Sequence, residues 1–73
     1  MDDFLVKLAD ILEEDSIQRE DLLKKYPNWD SLGVLSVIAM VDECYSVTIT
    51  ADDLSITKTV GELQDLIQSR LKN

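Results

Sequence analysis

Tyr26-Pro27-Asn28-Trp29-Asp30-Ser31-Leu32-Gly33-Val34-Leu35-Ser36-Val37-Ile38-Ala39-Met40-Val41 is the stretch that decides the fold. A polar loop ends at Trp29, two residues able to cap a helix follow, and eight of the ten positions from Leu32 to Val41 are apolar. Pro27 disfavours helical backbone at Tyr26 before it. Either Asp30 or Ser31 can accept a bond from an unpaired N–H of a first helical turn, so a helix is expected over Leu32 to Tyr45. Neither residue has Glu or Gln three positions on, so this start has no capping box.

At about 100° per residue, Val34, Val37, Ile38, Val41 and Tyr45 share one arc, the expected core face. Leu32, Leu35 and Ala39 lie on another side with Ser36, Asp42 and Glu43. A surface helix of a small domain needs only three or four apolar residues per two turns, so this second side is in excess. It reads as a mixed apolar and acidic docking strip; the alternative is that Trp29 or Ile56 covers it. Cys44 falls between the two sides and is expected to be a semi-buried structural thiol. Trp29 is expected to pack over the start of this helix.

Working outward, Phe4, Leu5, Leu8, Ile11 and Leu12 recur at helical steps and predict an amphipathic helix from Asp3 to Glu14. Residues 15–28 read as a long loop, with a short helical turn around Glu20 to Lys24, pinned to the core by Ile17, Leu22, Leu23 and Tyr26. Val47-Thr48-Ile49-Thr50 alternates like a strand, but no comparable segment exists to pair with it, so an extended connector burying Val47 and Ile49 is expected. A short helix over Ala51 to Leu54 follows, capped by Thr50 with Asp52 and Asp53 in its first turn. Thr59 and Glu62 form a capping box ahead of Leu63, Leu66, Ile67 and Leu71, with Arg70 and Lys72 suiting the C-terminal end of the last helix. The expected fold is all-α: a single domain over 1–73, built as a small four-helix bundle of three main helices and one short one, with a long loop between the first and second.

The chain has 73 residues, 15 acidic and seven basic, a formal net charge of -8, one cysteine and no histidine. Such a charge repels nucleic acid and anionic membranes, so partners with basic patches are expected. An internal disulfide, a Cys/His zinc site and a histidine-dependent nucleophile cannot be written, and no metal site is expected. Two glycines are too few for a phosphate-cradling loop of the usual patterns. The opening Met1-Asp2-Asp3 carries no leader pattern and no run spans a bilayer, so a cytoplasmic monomer is expected. This inventory suits a protein that is bound or modified better than an enzyme. No catalytic residue is assigned, and Ser31 is either a helix cap or a handle for an anionic group.

In Asp30-Ser31-Leu32, the apolar helix leading to Val41-Asp42-Glu43, the connector Val47-Thr48-Ile49 and the run Ile56-Thr57-x-x-Val60-Gly61-Glu62-Leu63, the chain resembles the acyl carrier protein family over most of its length. The resemblance implies a 4'-phosphopantetheine arm on Ser31, donated from coenzyme A by a phosphopantetheinyl transferase and carrying acyl groups as thioesters. Asp30 and Leu32 would belong to the attachment motif. Acyl-transferring or condensing enzymes with basic patches would meet Leu35, Ala39, Asp42, Glu43, Asp52 and Asp53. The core side of the second helix, with the first and last helices, would frame a cavity for the acyl chain. Gly33, Val34 and Ser36 stand where fatty-acid-synthesis members commonly carry acids, and Trp29 before the motif looks like carriers of specialised pathways. The resemblance therefore leans towards polyketide-like or other secondary acyl metabolism rather than a housekeeping fatty acid synthase, with partner choice decided by this uncharged approach. A peptidyl or aminoacyl carrier, whose motif usually has glycines before the serine, and an unmodified acidic helical interaction module are the alternatives.

Overall fold

The computed structural model describes residues 3–71, so the placement expected for Lys72 lies outside the described residues. Four helices are present: α1 over Phe4–Leu12, α2 over Ser31–Tyr45, α3 over Ala51–Ser55 and α4 over Val60–Arg70. No strand occurs among the described residues, and the all-α four-helix expectation holds. No helix among them is long and apolar enough to cross a membrane.

The core is aliphatic. Phe4, Leu8 and Leu12 of α1, Val37 and Val41 of α2, Leu54 of α3, and Val60, Leu63 and Ile67 of α4 are buried together with Ile17, Leu23 and Tyr26 of the loop. At about 1.5–3 kcal/mol for each fully buried side chain of this kind, these residues supply the main folding drive of a domain this small. Val47 and Ile49 are also buried, so the connector does insert alternate side chains into the core while its backbone stays unpaired with any strand.

Helix α1 is shorter than the Asp3 to Glu14 span expected of it, ending with its apolar pattern at Leu12. Glu13 turns into the left-handed region at φ 59°, and the N–H groups of Glu13 and Glu14 return to the carbonyls of Asp10 and Ala9, ending the helix in a Schellman motif. Two side-chain bonds fix α1 antiparallel to α2. Asn28 Nδ2 donates to the Leu12 carbonyl at 3.3 Å, and Tyr45 donates to Asp3 at 2.8 Å at the other end. The Phe4 and Tyr45 rings meet there at 6.3 Å and 55°.

The long loop is stapled to α4 by its backbone, which the periodicity did not reveal. Leu23 N–H donates to the Lys58 carbonyl at 2.9 Å, Val60 N–H to Asp21 at 3.0 Å and Gly61 N–H to Arg19 at 2.8 Å. The helical turn in this loop is a 3₁₀ turn at Leu23–Lys25, later than the span around Glu20 to Lys24. Leu22 departs from expectation: it is about half exposed, because it forms the isolated antiparallel bridge with Thr59 rather than turning inward. Arg19 closes the staple over α4 with bonds to Gln64 at 2.7 Å and Asp65 at 3.1 Å.

The same loop holds a titratable latch. The buried Tyr26 hydroxyl donates to Asp21, whose carboxylate also accepts the Gln18 N–H at 2.9 Å. Burial and the Asp21 bond push Tyr26 up to about 12, while the Tyr26 bond, ahead of the Gln18 bond, holds Asp21 below the ordinary aspartate value. Asp21 is thus lowered on folding, so its contribution is full above its unfolded value of about 3.9 and is lost as pH falls through its folded value. Tyr26 is raised, so its contribution is full below its unfolded value of about 10 and is lost as pH rises through about 12. Amide protection factors at Val60 and Gly61, which the loop backbone protects, are expected to fall at both pH extremes, and Asp21→Asn is expected to remove the acid limb and to weaken the alkaline limb to what Tyr26 burial alone maintains.

Two helix starts differ from the sequence reading. Thr59 accepts the Glu62 N–H at 3.1 Å, but the Glu62 carboxylate reaches past Thr59 to the Lys58 N–H at 2.9 Å, so only half of the expected capping box forms. The reciprocal box is at α3, where Thr50 and Asp53 accept each other's N–H at 3.1 and 3.0 Å.

Candidate functional site

The start of α2 is built by Asp30. Its carboxylate accepts the Gly33 N–H at 3.0 Å and its carbonyl accepts the Val34 N–H at 2.8 Å, so Asp30, not Ser31, is the N-cap. Ser31 is therefore the first helical residue, exposed, with a hydroxyl that takes no part in the cap. The cap and handle readings of Ser31 are separated by this geometry. The first N–H groups of a helix have no intrahelical acceptor, and beside Ser31 the positive end of the helix dipole favours an anion.

Gly33 is buried, and a Cβ placed there would overlap the Asn28 carbonyl oxygen. The loop backbone lies directly on α2 at this point. The absence of an acid at this position is thus a packing requirement, and within the uncharged approach only Ser36 is exposed, Val34 being half-buried.

A hollow of about 390 Å³ opens beside Ser31, walled by Trp29, Val34, Leu35, Ala51 and Leu54. It lies between α2 and α3. The expected frame of α1 and α4 does not form it, because Phe4, Leu8, Leu63 and Ile67 fill that side of the core. Trp29 is half-buried against the core and lines this hollow with Ser31, Val34 and Leu35 at the start of α2.

The structure divides the remaining candidates. Leu32 is 75% exposed and Leu35 60% exposed, so neither is covered by Trp29 or by Ile56, which is itself exposed. Leu35 edges the Ser31 hollow, whereas Leu32 lines a smaller one with Ile11 and Asn28. Ala39 and Glu43 line an open groove shared with Lys7 and Asp10 of α1, and Asp42 is exposed further along α2. Asp52 is exposed on α3. Asp53 is not free: Arg70 binds it through two nitrogens at 2.8 and 3.2 Å, and that pairing, ahead of the Thr50 bond, holds its carboxyl below the ordinary range. This ion pair ties α3 to the end of α4, and a third Arg70 bond reaches the Thr48 carbonyl.

Cys44 corrects the sequence reading. It is exposed, on an open groove that it shares with Lys7, Asp10 and Ile11 of α1.

A short acidic four-helix domain with a long stapled loop, a capped serine-first helix and an apolar hollow beside that serine has the build of a small carrier protein. No family model and no curated protein matches the chain. Among solved structures it is similar to the solution NMR structure of holo acyl carrier protein from Geobacter metallireducens, with a TM-score of 0.77 and 28% identity, over 96% of this chain and 83% of that one. This likeness, which runs over nearly the whole chain, supports the acyl carrier protein family, whose members are carriers rather than catalysts.

Proposed function

We propose that this protein carries acyl intermediates as thioesters on a 4'-phosphopantetheine arm joined to Ser31. The observation that carries it is the Asp30 cap: by taking the Gly33 N–H itself, Asp30 leaves the Ser31 hydroxyl exposed and unengaged at the edge of an apolar hollow. The likeness to a holo carrier supports the same reading.

Attachment needs nothing catalytic from this chain. The Ser31 oxygen forms a bond to the phosphorus next to the pantetheine of coenzyme A, adenosine 3',5'-bisphosphate leaves, and the transferase takes up the hydroxyl proton. The residues present fit the group. Its phosphodiester would lie by the N–H groups opening α2, and Leu35, Val34 and Leu54 offer apolar surface along which the arm and its cargo can shelter. When bound, the arm supplies the thiol that holds the acyl group. A transferase supplied with coenzyme A is expected to add one phosphopantetheine mass to the intact protein; an unchanged mass would refute the proposal.

Partner enzymes would approach the exposed side of α2, where Leu32, Leu35 and Ala39 provide an apolar centre and Asp42, Glu43 and Asp52 a negative rim. We leave Asp53 out of this face because its carboxylate is held by Arg70. The absence of glycines before the motif favours acyl over peptidyl cargo, and the Gly33 packing requirement removes one of the reasons for excluding a fatty acid synthase. Leu35→Asp is expected to weaken a cognate condensing or transferring enzyme about tenfold, as loss of a central apolar contact does. Glu43→Lys is expected to act on the association rate and to flatten its salt dependence. Titration of the loaded variants against the enzyme measures both, with circular dichroism confirming an unchanged helix content.

A further inference from the structure

Beyond Trp29, Leu54 and Ser55, which wall the Ser31 hollow, lies a second hollow of about 390 Å³ that shares these three residues and is lined further by Lys24 and Lys58. Among the described residues these two lysines are the only cations with no carboxylate within 4.0 Å; Lys7, Arg19, Lys25 and Arg70 are all paired. They come from separate elements, the 3₁₀ turn and the segment before α4, and the Leu23 to Lys58 backbone bond of 2.9 Å holds those elements together. Glu62, the nearest available partner in sequence, gives its carboxylate to the Lys58 backbone N–H instead. In a chain of net charge -8, the two unpaired cations among the described residues line one and the same hollow.

We propose that Lys24 and Lys58 bind the free carboxylate of a dicarboxylic acyl cargo whose other end is the thioester on the Ser31 arm. The proposal rests on the carrier reading above. An acyl chain lying along the Ser31 hollow would pass Trp29 and Leu54 and present its far end between the two ammonium groups, apolar stem on apolar wall and anion on cation. The phosphate of the arm, fixed at Ser31, stays in the first hollow, which neither lysine lines.

The test loads the protein, through a transferase and the corresponding coenzyme A thioesters, with the bare arm, with hexanoyl and with the equally long adipoyl half-thioester. Backbone amide shifts at Lys24 and Lys58 are expected to move with adipoyl and not with hexanoyl. Hydrolysis of the adipoyl thioester is expected to run about two- to fivefold faster in the Lys24→Gln/Lys58→Gln variant than in the wild type, the range that exposed ion pairs support, with hexanoyl hydrolysis unchanged. Equal behaviour of the two cargoes overturns the proposal and leaves the carrier reading standing. Shifts produced in full by the bare arm overturn it in favour of phosphate binding. Failure of the transferase to load Ser31 at all removes both.

Discussion

Gly33→Ala is expected to destabilise the domain by about 3 kcal/mol, the upper part of the range for overpacking a filled site. Helix propensity alone argues the other way, since alanine is favoured over glycine by about 1 kcal/mol within a helix. The steric term wins because the atom in the way is a backbone oxygen, that of Asn28, and not the end of a flexible side chain. Asn28 cannot retreat freely: its side chain is bonded to the last turn of α1 and the next residue, Trp29, donates its N–H to Tyr26 at 3.0 Å. A domain of this size is expected to have a total stability of about 4–11 kcal/mol at the usual amount per residue, so the loss is a large share of it. Thermal and urea unfolding measure the effect. An alanine variant as stable as the wild type would show that the loop does not lie on α2 as described.

The second large effect is on modification. Ser31→Ala is expected to abolish the phosphopantetheine mass gain completely while leaving helix content and melting temperature nearly unchanged, since the cap is Asp30. Asp30→Ala is the informative contrast. It removes the acceptor of the Gly33 N–H and is expected to cost about 1 kcal/mol, the usual loss for an N-cap acid, while Ser31 keeps its hydroxyl. If Ser31 were only a cap, the two variants would exchange behaviour: the serine substitution would lower stability and the aspartate substitution would not.

The helices were readable because each rests on local pattern. Phe4 to Leu12 shows one apolar stripe, and the run after Ser31 is too apolar and too long for a strand. The connector was readable by elimination, since Val47 and Ile49 had no partner strand. What escaped the sequence depends on atoms brought together from distant positions. Asp30 and Ser31 are equally able to cap on chemistry, and only the backbone path from Asn28 decides between them. Gly33 was read as a missing charge, whereas its role is close approach to a loop five residues earlier. Cys44 sits at a helical angle between the core and polar sides, and only the open groove between α1 and α2 shows it to be exposed. The pairing of Asp53 with Arg70 spans 17 residues and leaves no periodic trace, yet it removes one acid from the docking face. Lys24 and Lys58 are 34 residues apart, and nothing short of the loop's backbone bridge to the segment before α4 puts them at one hollow.

The central claim is the identity of the modified atom. After incubation with coenzyme A and a broad-specificity transferase, fragmentation mass spectrometry of the peptide containing Asp30 to Ser36 is expected to place a single phosphopantetheine adduct on Ser31, with Ser36 unmodified. An adduct on any other residue, or an unmodified peptide under conditions that load a known carrier to completion, would contradict it.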